Sequence, residues 1–432
     1  MASWGILLVV TLALQTGLPV RAEKAPQPAT PFAVASGPTA TPAAQAWRPA
    51  ERAQAPSASA TMTVRALSPS VSPPRPGFIC TPGRIWRRWE SCLDHGPGTT
   101  AYRIAHISLP DPLPELSLVE LTVDPDEDVV PYTYAYVHTL PLSIYAHPME
   151  ATLGLPPVRI LYSGDQWVSV EAAVEFEGER WIQINKGEFV RAEALALARP
   201  SRFQGIYLAE QPPYPFAWIN RSVRPSRSPH GPPDPDAPLY RRYQTVSIYA
   251  QEYWGTEEIW YLIGPDQWVE QSNVSKVTVD PPPARVGSGE RWVEIDLFEQ
   301  TLAAYEGERL VYATLISSGR PGSTWTESGL FQIWAKLPAT KMSTPDSEDG
   351  RSDWYHLEDV PWTMYFNGAT ALHAAYWHDA FGFTRSHGCV NLAPRDAEWL
   401  FGWTSPYVTP GSRGIYSTGT WVWVHNTSPF NR

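Results

Sequence analysis

The segment His373–Asn391, HAAYWHDAFGFTRSHGCVN, places three histidines and one cysteine within nineteen residues. Gly388 stands between His387 and Cys389. Glycine adopts backbone angles that other residues avoid, so this position favours a tight turn with an exposed thiol. The segment is consistent with two kinds of site, a metal site or a reactive thiol with a nearby base. The alternative to both is an inert, buried cysteine among structural histidines, which the polar and flexible Ser-His-Gly-Cys sequence disfavours.

A metal site is the weaker of the two interpretations. Zinc binds Cys and His side chains, and the segment offers His373, His378, His387 and Cys389. However, His373 and His378 are five residues apart, a spacing that suits neither one helix face nor one strand face. The sequence contains no C-x-x-C pair beside them. We therefore predict neither a metal nor a cofactor at this site.

A cysteine nucleophile explains the same residues better. A thiol with an ordinary pKa of about 8.5 is mostly protonated at neutral pH, so it needs a base. The imidazoles of His373 and His387 are near enough in sequence to Cys389 to supply one. Gly388 would let backbone N–H groups face a developing oxyanion. These features predict an acyl-transfer site.

The residues around this segment predict a mainly β unit. Two alternating strands flank Glu306-Gly307-Glu308, which is typical of a hairpin. After the cysteine, APRDAEWLFGW predicts a helix with Pro394 at its first position and Asp396 and Glu398 close behind. The N-terminus of that helix would lower the pKa of the thiol. A final alternating strand, TWVWVHN, closes the unit.

The order His…Ser-His-Gly-Cys-Val-Asn resembles the signature of the L,D-transpeptidase (YkuD-type) catalytic domain. The likeness extends over roughly residues 289–425, and we predict a catalytic domain over residues 286–425. The resemblance implies that Cys389 is the nucleophile and His373 the base, oriented by the carbonyl of Ala374. Many family members have Gly at position 374. Thr326–Gly329 reads TESG where relatives often show Thr-Pro-Thr-Gly.

The same resemblance implies roles for the loop around the cysteine. Gly388 and Cys389 would provide oxyanion N–H groups together with His387, and Ser386 and Asn391 would support the loop. Asn391 stands where many subfamilies have Arg. Further candidates for substrate contacts are Trp377, His378 and Tyr365; local packing is an equal alternative for the first two, and a core position is the alternative for Tyr365.

The activity that the resemblance implies is crosslinking of peptidoglycan stem peptides through a thioester, giving 3→3 links. Hydrolysis of the same intermediate would make the protein an L,D-carboxypeptidase. An NlpC/P60-type endopeptidase fits less well, because there the cysteine precedes its histidine. A further alternative is a non-catalytic wall-binding protein that acts through its β modules.

The N-terminus predicts export. An apolar run over residues 4–14 precedes Val20-Arg21-Ala22, which fits a signal peptide over residues 1–22; an uncleaved membrane anchor is the alternative. Residues 23–78 contain 11 Pro and 14 Ala, so they bury too little apolar surface to fold, and we expect a disordered linker. Export to the cell wall makes the cysteine count informative.

Three cysteines occur in 432 residues. Cys80 and Cys92 flank a short loop in a connecting segment, residues 79–130, and an oxidising compartment would favour a disulfide between them. Cys389 then remains as a free thiol, which agrees with a catalytic role. The pairing of the first two stays open from sequence alone.

The middle of the chain contains a repeat. LPLSIYAHP near Ser143 matches QTVSIYAQE near Ser247, and WIQINKGEFV from Trp181 aligns with WYLIGPDQWV from Trp260. The pattern predicts β modules over 131–220 and 239–282, joined by a Pro-rich linker, 221–238. They resemble bacterial SH3-like modules, which would bind cell-wall polymer; two unrelated β modules are the alternative.

Composition limits the partners. Hydrophobic residues make up 43% of the chain and 20 Trp with 20 Tyr favour β structure. The formal net charge is -11 without a Lys/Arg-rich run, so nucleic acid is not an expected partner. We expect a monomer.

Overall fold

A computed structural model describes residues 107, 109–114, 118–120, 128–184, 187–254, 258–322, 324–344 and 355–430. All of them belong to one compact unit, Ser72–Arg432. The predicted signal peptide, the Pro/Ala-rich linker and the predicted Cys80–Cys92 disulfide lie outside the described residues. The described part is mainly β, as predicted. No helix in that part has the length and hydrophobicity needed to cross a bilayer.

The first repeat unit, residues 131–198, is built on antiparallel strands around an aliphatic core. Its alternating sequence buries one face of each strand, including Val168, Ile184 and Val190. A short strand, β1 (Leu118–Glu120), precedes it. Its elements are β2 (Thr133–Val137), β3 (Leu142–Ile144), helix α1 (Pro148–Thr152), β4 (Arg159–Leu161), β5 (Asp165–Phe176), β6 (Glu179–Ile184), β7 (Glu188–Arg191), a 3-10 turn (Ala192–Ala194) and β8 (Leu195–Leu197).

The second repeat unit, residues 216–277, has its own aliphatic and aromatic core, which includes Val246, Tyr261 and Val269. A single strand, β9 (Ile206–Leu208), lies between the two units. The elements of the second unit are β10 (Phe216–Ile219), β11 (Thr245–Ser247), β12 (Ala250–Trp254), β13 (Glu258–Gly264), β14 (Gln267–Glu270), a 3-10 turn (Gln271–Asn273) and β15 (Val274–Val277).

The two units share the register that their sequences predict. Trp181 of β6 pairs with Arg191, ten residues later, and Trp260 of β13 pairs with Glu270, also ten residues later. In both units the second strand of the pair leads into a 3-10 turn and then a last strand. The aligned segments therefore form the same hairpin in both units.

The boundaries of the repeat units differ from the predicted ranges. Strand β10, which the range 131–220 assigned to the first unit, pairs with β11 and β15 of the second. The segment 221–238 is consequently a loop inside the second unit rather than a linker, and Ser226 bridges to Trp268 there. Proline-rich composition indicated irregular backbone correctly, but it does not distinguish an internal loop from a linker between units.

The C-terminal unit, residues 291–425, contains the His/Cys segment. The predicted hairpin at Glu306–Glu308 is confirmed, and the predicted helix begins at Pro394. The elements are β16 (Arg291–Asp296), β17 (Thr301–Glu306), β18 (Arg309–Ser317), β19 (Gly329–Gln332), β20 (Ala335–Ser343), β21 (Tyr355–Asn367), β22 (Thr370–Ala374), β23 (Val390–Leu392), helix α2 (Pro394–Trp403), β24 (Ile415–Tyr416) and β25 (Trp421–His425).

Two sheets of this unit meet at the long strand β18. One sheet runs in the order β1, β9, β18, β17, β16, β25, β19. The other runs β18, β23, β22, β21, β20, β24. Aliphatic side chains, among them Ile316, Leu372 and Leu400, fill the core between the sheets and α2. Strands from outside the unit, β1 and β9, extend the first sheet.

Candidate active site

Cys389 and His373 lie on neighbouring parallel strands. His373 of β22 pairs with Asn391 of β23, and Leu372 pairs with Val390. Cys389 directly precedes β23, so the cysteine lies at the start of the strand that pairs with β22. Both residues line one cleft, which we call the Cys389 cleft; it contains about 610 Å³ of empty space, part of it open to solvent.

The His373 ring is buried and has a fixed tautomer. Its Nδ1 lies 3.1 Å from the carbonyl oxygen of Ala374, which only accepts, so Nδ1 carries the proton. This is the contact that the family resemblance implied. Burial lowers the pKa of His373 to about 4, so the ring is neutral at pH 7. Nε2 is therefore the nitrogen that can accept a proton.

The Cys389 thiol lies beside a backbone carbonyl in this structure. Its Sγ lies 3.8 Å from the carbonyl oxygen of Ala369, in the turn between β21 and β22. Burial raises the pKa of the thiol. The sequence predicted the opposite shift from the helix N-terminus, and that prediction was wrong. Helix α2 begins five residues later, at Pro394, and the field of a helix end is felt within about one turn.

Hydrogen bonds within the turn hold the segment before the cysteine in place. Gly388 has φ +117°, a conformation that side-chain-bearing residues rarely adopt. Its N–H donates to Ser386 Oγ at 3.1 Å, and the Ser386 hydroxyl donates to the carbonyl of Cys389. Ser386 thus supports the loop, as the resemblance implied. The Gly388 N–H, which the resemblance placed in the oxyanion hole, has a partner within the turn.

A second loop, which sequence reasoning missed, packs on this turn. Thr326 is buried; its hydroxyl donates to Gly388 O at 2.8 Å and accepts from Gly319 N–H at 2.9 Å. A Cβ on Gly319 would fall 2.0 Å from the carbonyl oxygen of Thr324, so only glycine fits there. The only sequence signal for this contact is the TESG segment, 326–329, where family members often have Thr-Pro-Thr-Gly.

The remaining predicted residues fall into two groups. Trp377 and His387 line the cleft: the Trp377 ring lies 5.7 Å from His373, and exposed His387 lies 4.9 Å from the Tyr355 ring. His378 and Asn391 are buried together, with His378 Nε2 3.0 Å from the Asn391 amide; Asn391 also lines the cleft, whereas His378 does not.

His378 acts as a structural group. Its Nδ1 accepts from Ala380 N–H at 3.1 Å, and its ring packs 4.9 Å from Phe381. Burial, with smaller contributions from Arg385 and other cations, lowers its pKa to about 3. Tyr365 is not one of the described residues that line the cleft. It belongs to the apolar cluster that includes Cys389.

Potential metal ligands come together where the segment after β15 meets the C-terminal unit. Asp280, Glu294 and His425 each offer an atom within 4.8 Å of the others. These groups already satisfy one another: His425 Nε2 and Glu294 Oε1 are 2.8 Å apart, and burial together with Glu294 raises the pKa of Asp280 to about 7. The cluster is separate from the Cys389 cleft.

The region around the Cys389 cleft matches a known protein family. Residues 290–424 match the family model of the YkuD L,D-transpeptidase catalytic domain. This YkuD region contains β16 to β24, almost all of β25 and the entire His/Cys segment. No curated protein matches the chain.

Solved structures that resemble the chain are also L,D-transpeptidases. The catalytic domain of the E. faecium enzyme is 26% identical over 32% of this chain and 100% of its own, with a TM-score of 0.25. The enzyme from Xylanimonas cellulosilytica is 26% identical over 34% of this chain, with a TM-score of 0.25. That from Stackebrandtia nassauensis is 26% identical over 35%, with a TM-score of 0.24. The chain spans 64% and 62% of the last two proteins.

Proposed function

We propose that this protein is an exported, cysteine-dependent L,D-transpeptidase that forms 3→3 links between peptidoglycan stem peptides. The observation that carries the proposal is that Cys389 and neutral His373 line one cleft, beside the paired strands β22 and β23, within the region that matches the YkuD family. Export rests on the N-terminal sequence. N-terminal sequencing of the secreted protein would test it, with residue 23 expected first.

The reaction begins with the thiol. Rotation about the Cα–Cβ bond of Cys389 would move Sγ away from the Ala369 carbonyl and towards His373, which lines the same cleft. Side-chain rotation of this kind is fast compared with turnover. His373 Nε2 takes the thiol proton as sulfur attacks the carbonyl carbon of the third residue of a donor tetrapeptide.

The intermediate then collapses to a thioester. The C–N bond to the terminal D-amino acid breaks, and the leaving amine takes the proton from His373. The side-chain amine of an acceptor stem attacks the thioester, passes a proton to His373, and forms the new amide. That proton returns to the sulfur, which restores the thiol. The backbone N–H of Cys389, with His387 beside it, would stabilise the oxyanion in both steps.

The alternative reaction is hydrolysis. If water resolves the thioester, the products are a tripeptide and a free D-amino acid, and the protein is an L,D-carboxypeptidase. The purified full chain incubated with donor tetrapeptide, with and without an acceptor stem peptide, separates the two. A crosslinked product that requires acceptor supports transpeptidation. Tripeptide that forms equally in both reactions supports hydrolysis, and no Cys389 thioester under either condition would reject both.

The repeat units supply a second candidate function. Their shared hairpin register and their resemblance to SH3-like modules support binding to wall polymer. The test uses the full chain with Cys389→Ala, because β5 of the first unit pairs with β21 of the C-terminal unit and truncation would expose that edge. Co-sedimentation with purified sacculi supports the binding role. Size-exclusion chromatography would test the expected monomer.

A further inference from the structure

One wall of the Cys389 cleft comes from outside the YkuD region. Asp165 and Trp167 of β5, in the first repeat unit, line the cleft together with Cys389 and His373. They reach it because β5 pairs in parallel with the start of β21: Asp165 lies opposite Tyr355 and Trp167 opposite Leu357. The catalytic cysteine and this wall are therefore parts of one continuous sheet.

Trp167 is held in place by aromatic neighbours. Its ring lies 5.0 Å from that of Tyr136 and 6.0 Å from that of Tyr376, the latter edge to face. Tyr376 stacks on Tyr134 at 3.6 Å and donates its hydroxyl to Glu358 O at 2.8 Å. Trp167 also belongs to the apolar cluster that contains Cys389. It forms a pre-positioned apolar surface in the cleft.

Polar contacts fix β5 to the C-terminal unit beyond the paired residues. Ser169 N–H donates to Glu358 Oε2 at 3.0 Å, and the Ser169 hydroxyl donates to Asp359 Oδ2 at 2.5 Å. The hydroxyl of Tyr134 donates to Asp359 O at 2.7 Å. Glu358 is buried, so its hydrogen bond to Ser169 is protected from water. These hydrogen bonds hold the wall formed by β5 in a fixed position relative to β21.

Charges of opposite sign line the cleft. Asp165 presents an exposed carboxylate on the first-unit wall, while the exposed Arg320 and Arg385 flank the turn at Ser386. Within the described part of the chain, no ion pair engages any of these three charges. A ligand with a cationic group would be drawn to Asp165, and one with a carboxylate to the arginines.

We propose that Asp165 and Trp167 form the subsite for the acceptor amine, which rests on the function proposed above. The acceptor of a 3→3 transfer is a side-chain amine that is cationic in solution. Asp165 would attract that ammonium group, and Trp167 would pack on the aliphatic stem and interact with the cation through its ring face. The ammonium group releases one proton to solvent before the neutral amine attacks the thioester. The donor enters from the arginine-bearing side with its terminal carboxylate. Acceptor recognition thus depends on the first repeat unit.

The test separates donor chemistry from acceptor chemistry in the full chain. Asp165→Asn and Asp165→Lys are compared with wild type and with Glu175→Gln, which removes an exposed carboxylate from the same strand away from the cleft. Mass spectrometry follows thioester formation on Cys389 with donor tetrapeptide alone. A second assay measures crosslink formation against acceptor concentration.

We expect thioester formation to stay within about twofold of wild type in all variants. The acceptor KM should rise roughly threefold to tenfold in Asp165→Asn, and further in Asp165→Lys, as expected for loss of a partly solvated charge contact. Glu175→Gln should match wild type. An unchanged acceptor KM in both Asp165 variants, or an equal fall in donor acylation, would overturn the subsite. Absence of the thioester in the wild-type protein would instead reject the proposed function.

Discussion

Thr326 donates a hydrogen bond of 2.8 Å to the carbonyl oxygen of Gly388, the residue before the cysteine. The same hydroxyl accepts from Gly319 N–H at 2.9 Å, so one buried side chain joins two backbone segments. Gly319 also bridges to Ser386. The position of Cys389 therefore depends on a residue sixty-three positions earlier in the chain, in a segment without catalytic groups.

Replacing Thr326 with Val keeps the shape of the side chain but removes both hydrogen bonds. Because the Gly319 N–H and the Gly388 carbonyl then lose a buried partner, we expect unfolding to become easier by about 1–3 kcal/mol. Acylation of Cys389 should slow more than acceptor binding weakens. Denaturant unfolding would measure the change in stability, and mass spectrometry of samples quenched at successive times would measure the rate of Cys389 acylation. Thr324→Val, which removes a more exposed hydroxyl that bonds to Arg320 O, is the control; equal effects of the two changes would contradict the prediction.

Cys389→Ala should abolish covalent labelling while leaving the fold intact. A carbapenem is a suitable probe, because ring opening by the thiol would add its full mass to the wild-type protein. Cys389 is partly exposed, and alanine fits its site without a clash. Intact-protein mass spectrometry and circular dichroism are the measurements. A mass increase in the alanine variant would show that another group reacts.

The pH dependence of acylation should reflect the burial of His373. Its pKa in the folded protein is about 4, below the ordinary 6.5, so the ring remains a competent base down to mildly acidic pH. We expect the acid limb of kcat/KM for thioester formation near pH 4. Trp377→Ala, which uncovers the ring, should move that limb towards 6.5. A wild-type limb at 6.5 would mean that His373 is hydrated or is not the base.

The same shift has a consequence for stability. The unfolded chain binds a proton at His373 before the folded protein does, so the contribution of this residue to stability falls as pH drops from about 6.5 towards 4. His378, whose pKa burial lowers to about 3, acts in the same direction. His378→Asn should therefore flatten the acid side of a Tm-against-pH curve, whereas an unchanged curve would contradict the depressed pKa.

Asp396 affects the pH dependence of stability in the opposite direction. It is buried and accepts from Gly205 N–H and Tyr312 OH, and burial raises its pKa to about 6 from 3.8. Its contribution is fully present below pH 3.8 and is lost as pH rises through about 6. Asp396→Ala should cost roughly 2–4 kcal/mol, because buried donors lose their acceptor. Glu398→Ala, on the exposed side of the same helix, should change stability by less than about 0.5 kcal/mol.

Asp396→Asn tests the pH argument itself. The amide keeps an acceptor oxygen for Gly205 and Tyr312 but does not titrate, so the loss of stability between pH 4 and 6 should diminish. Urea unfolding at pH 4.5 and 7.5 in wild type and variant gives the comparison. The same pH slope in both proteins would assign it to other raised carboxyls, such as Glu299.

Gly388→Ala should reduce activity through backbone strain. The nearest atoms to an added Cβ are 3.8 Å away, so there is room for it, but φ +117° is costly for a residue with a side chain. We expect a loss of acylation rate of roughly tenfold or more as the turn relaxes, with about 1–3 kcal/mol lower stability. Gly402→Ala, on helix α2 with open space around it, is the control. Full activity of Gly388→Ala would show that the turn tolerates another conformation.

Local chemistry made much of the C-terminal unit predictable. Helix α2 begins at Pro394 because a proline at the first helical position sacrifices no hydrogen bond. The hairpin around Gly307 forms because glycine adopts positive φ there, +63°. The contact between His373 and Ala374 was likewise available, since both groups are adjacent in the chain. These features depend on neighbours in sequence.

Long-range pairing was not predictable in the same way. Strand β10 belongs to the second repeat unit and not to the first, and residues 221–238 form a loop inside that unit. Both outcomes depend on which strand edges meet. The raised pKa of the Cys389 thiol depends on how completely the surrounding strands exclude water. Alternation of side chains tells which face of a strand is buried, but it does not tell which strand lies beside it.

By itself the sequence determined the chemistry: a histidine upstream of a Gly-Cys turn, a helix after it, and two similar β hairpins. Only the tertiary structure decided that Asp165 and Trp167, more than two hundred residues before the cysteine, share its cleft. The physical reason is that backbone hydrogen bonds between strands do not depend on side-chain identity, so the partner of a strand edge is chosen by the packing of the whole sheet.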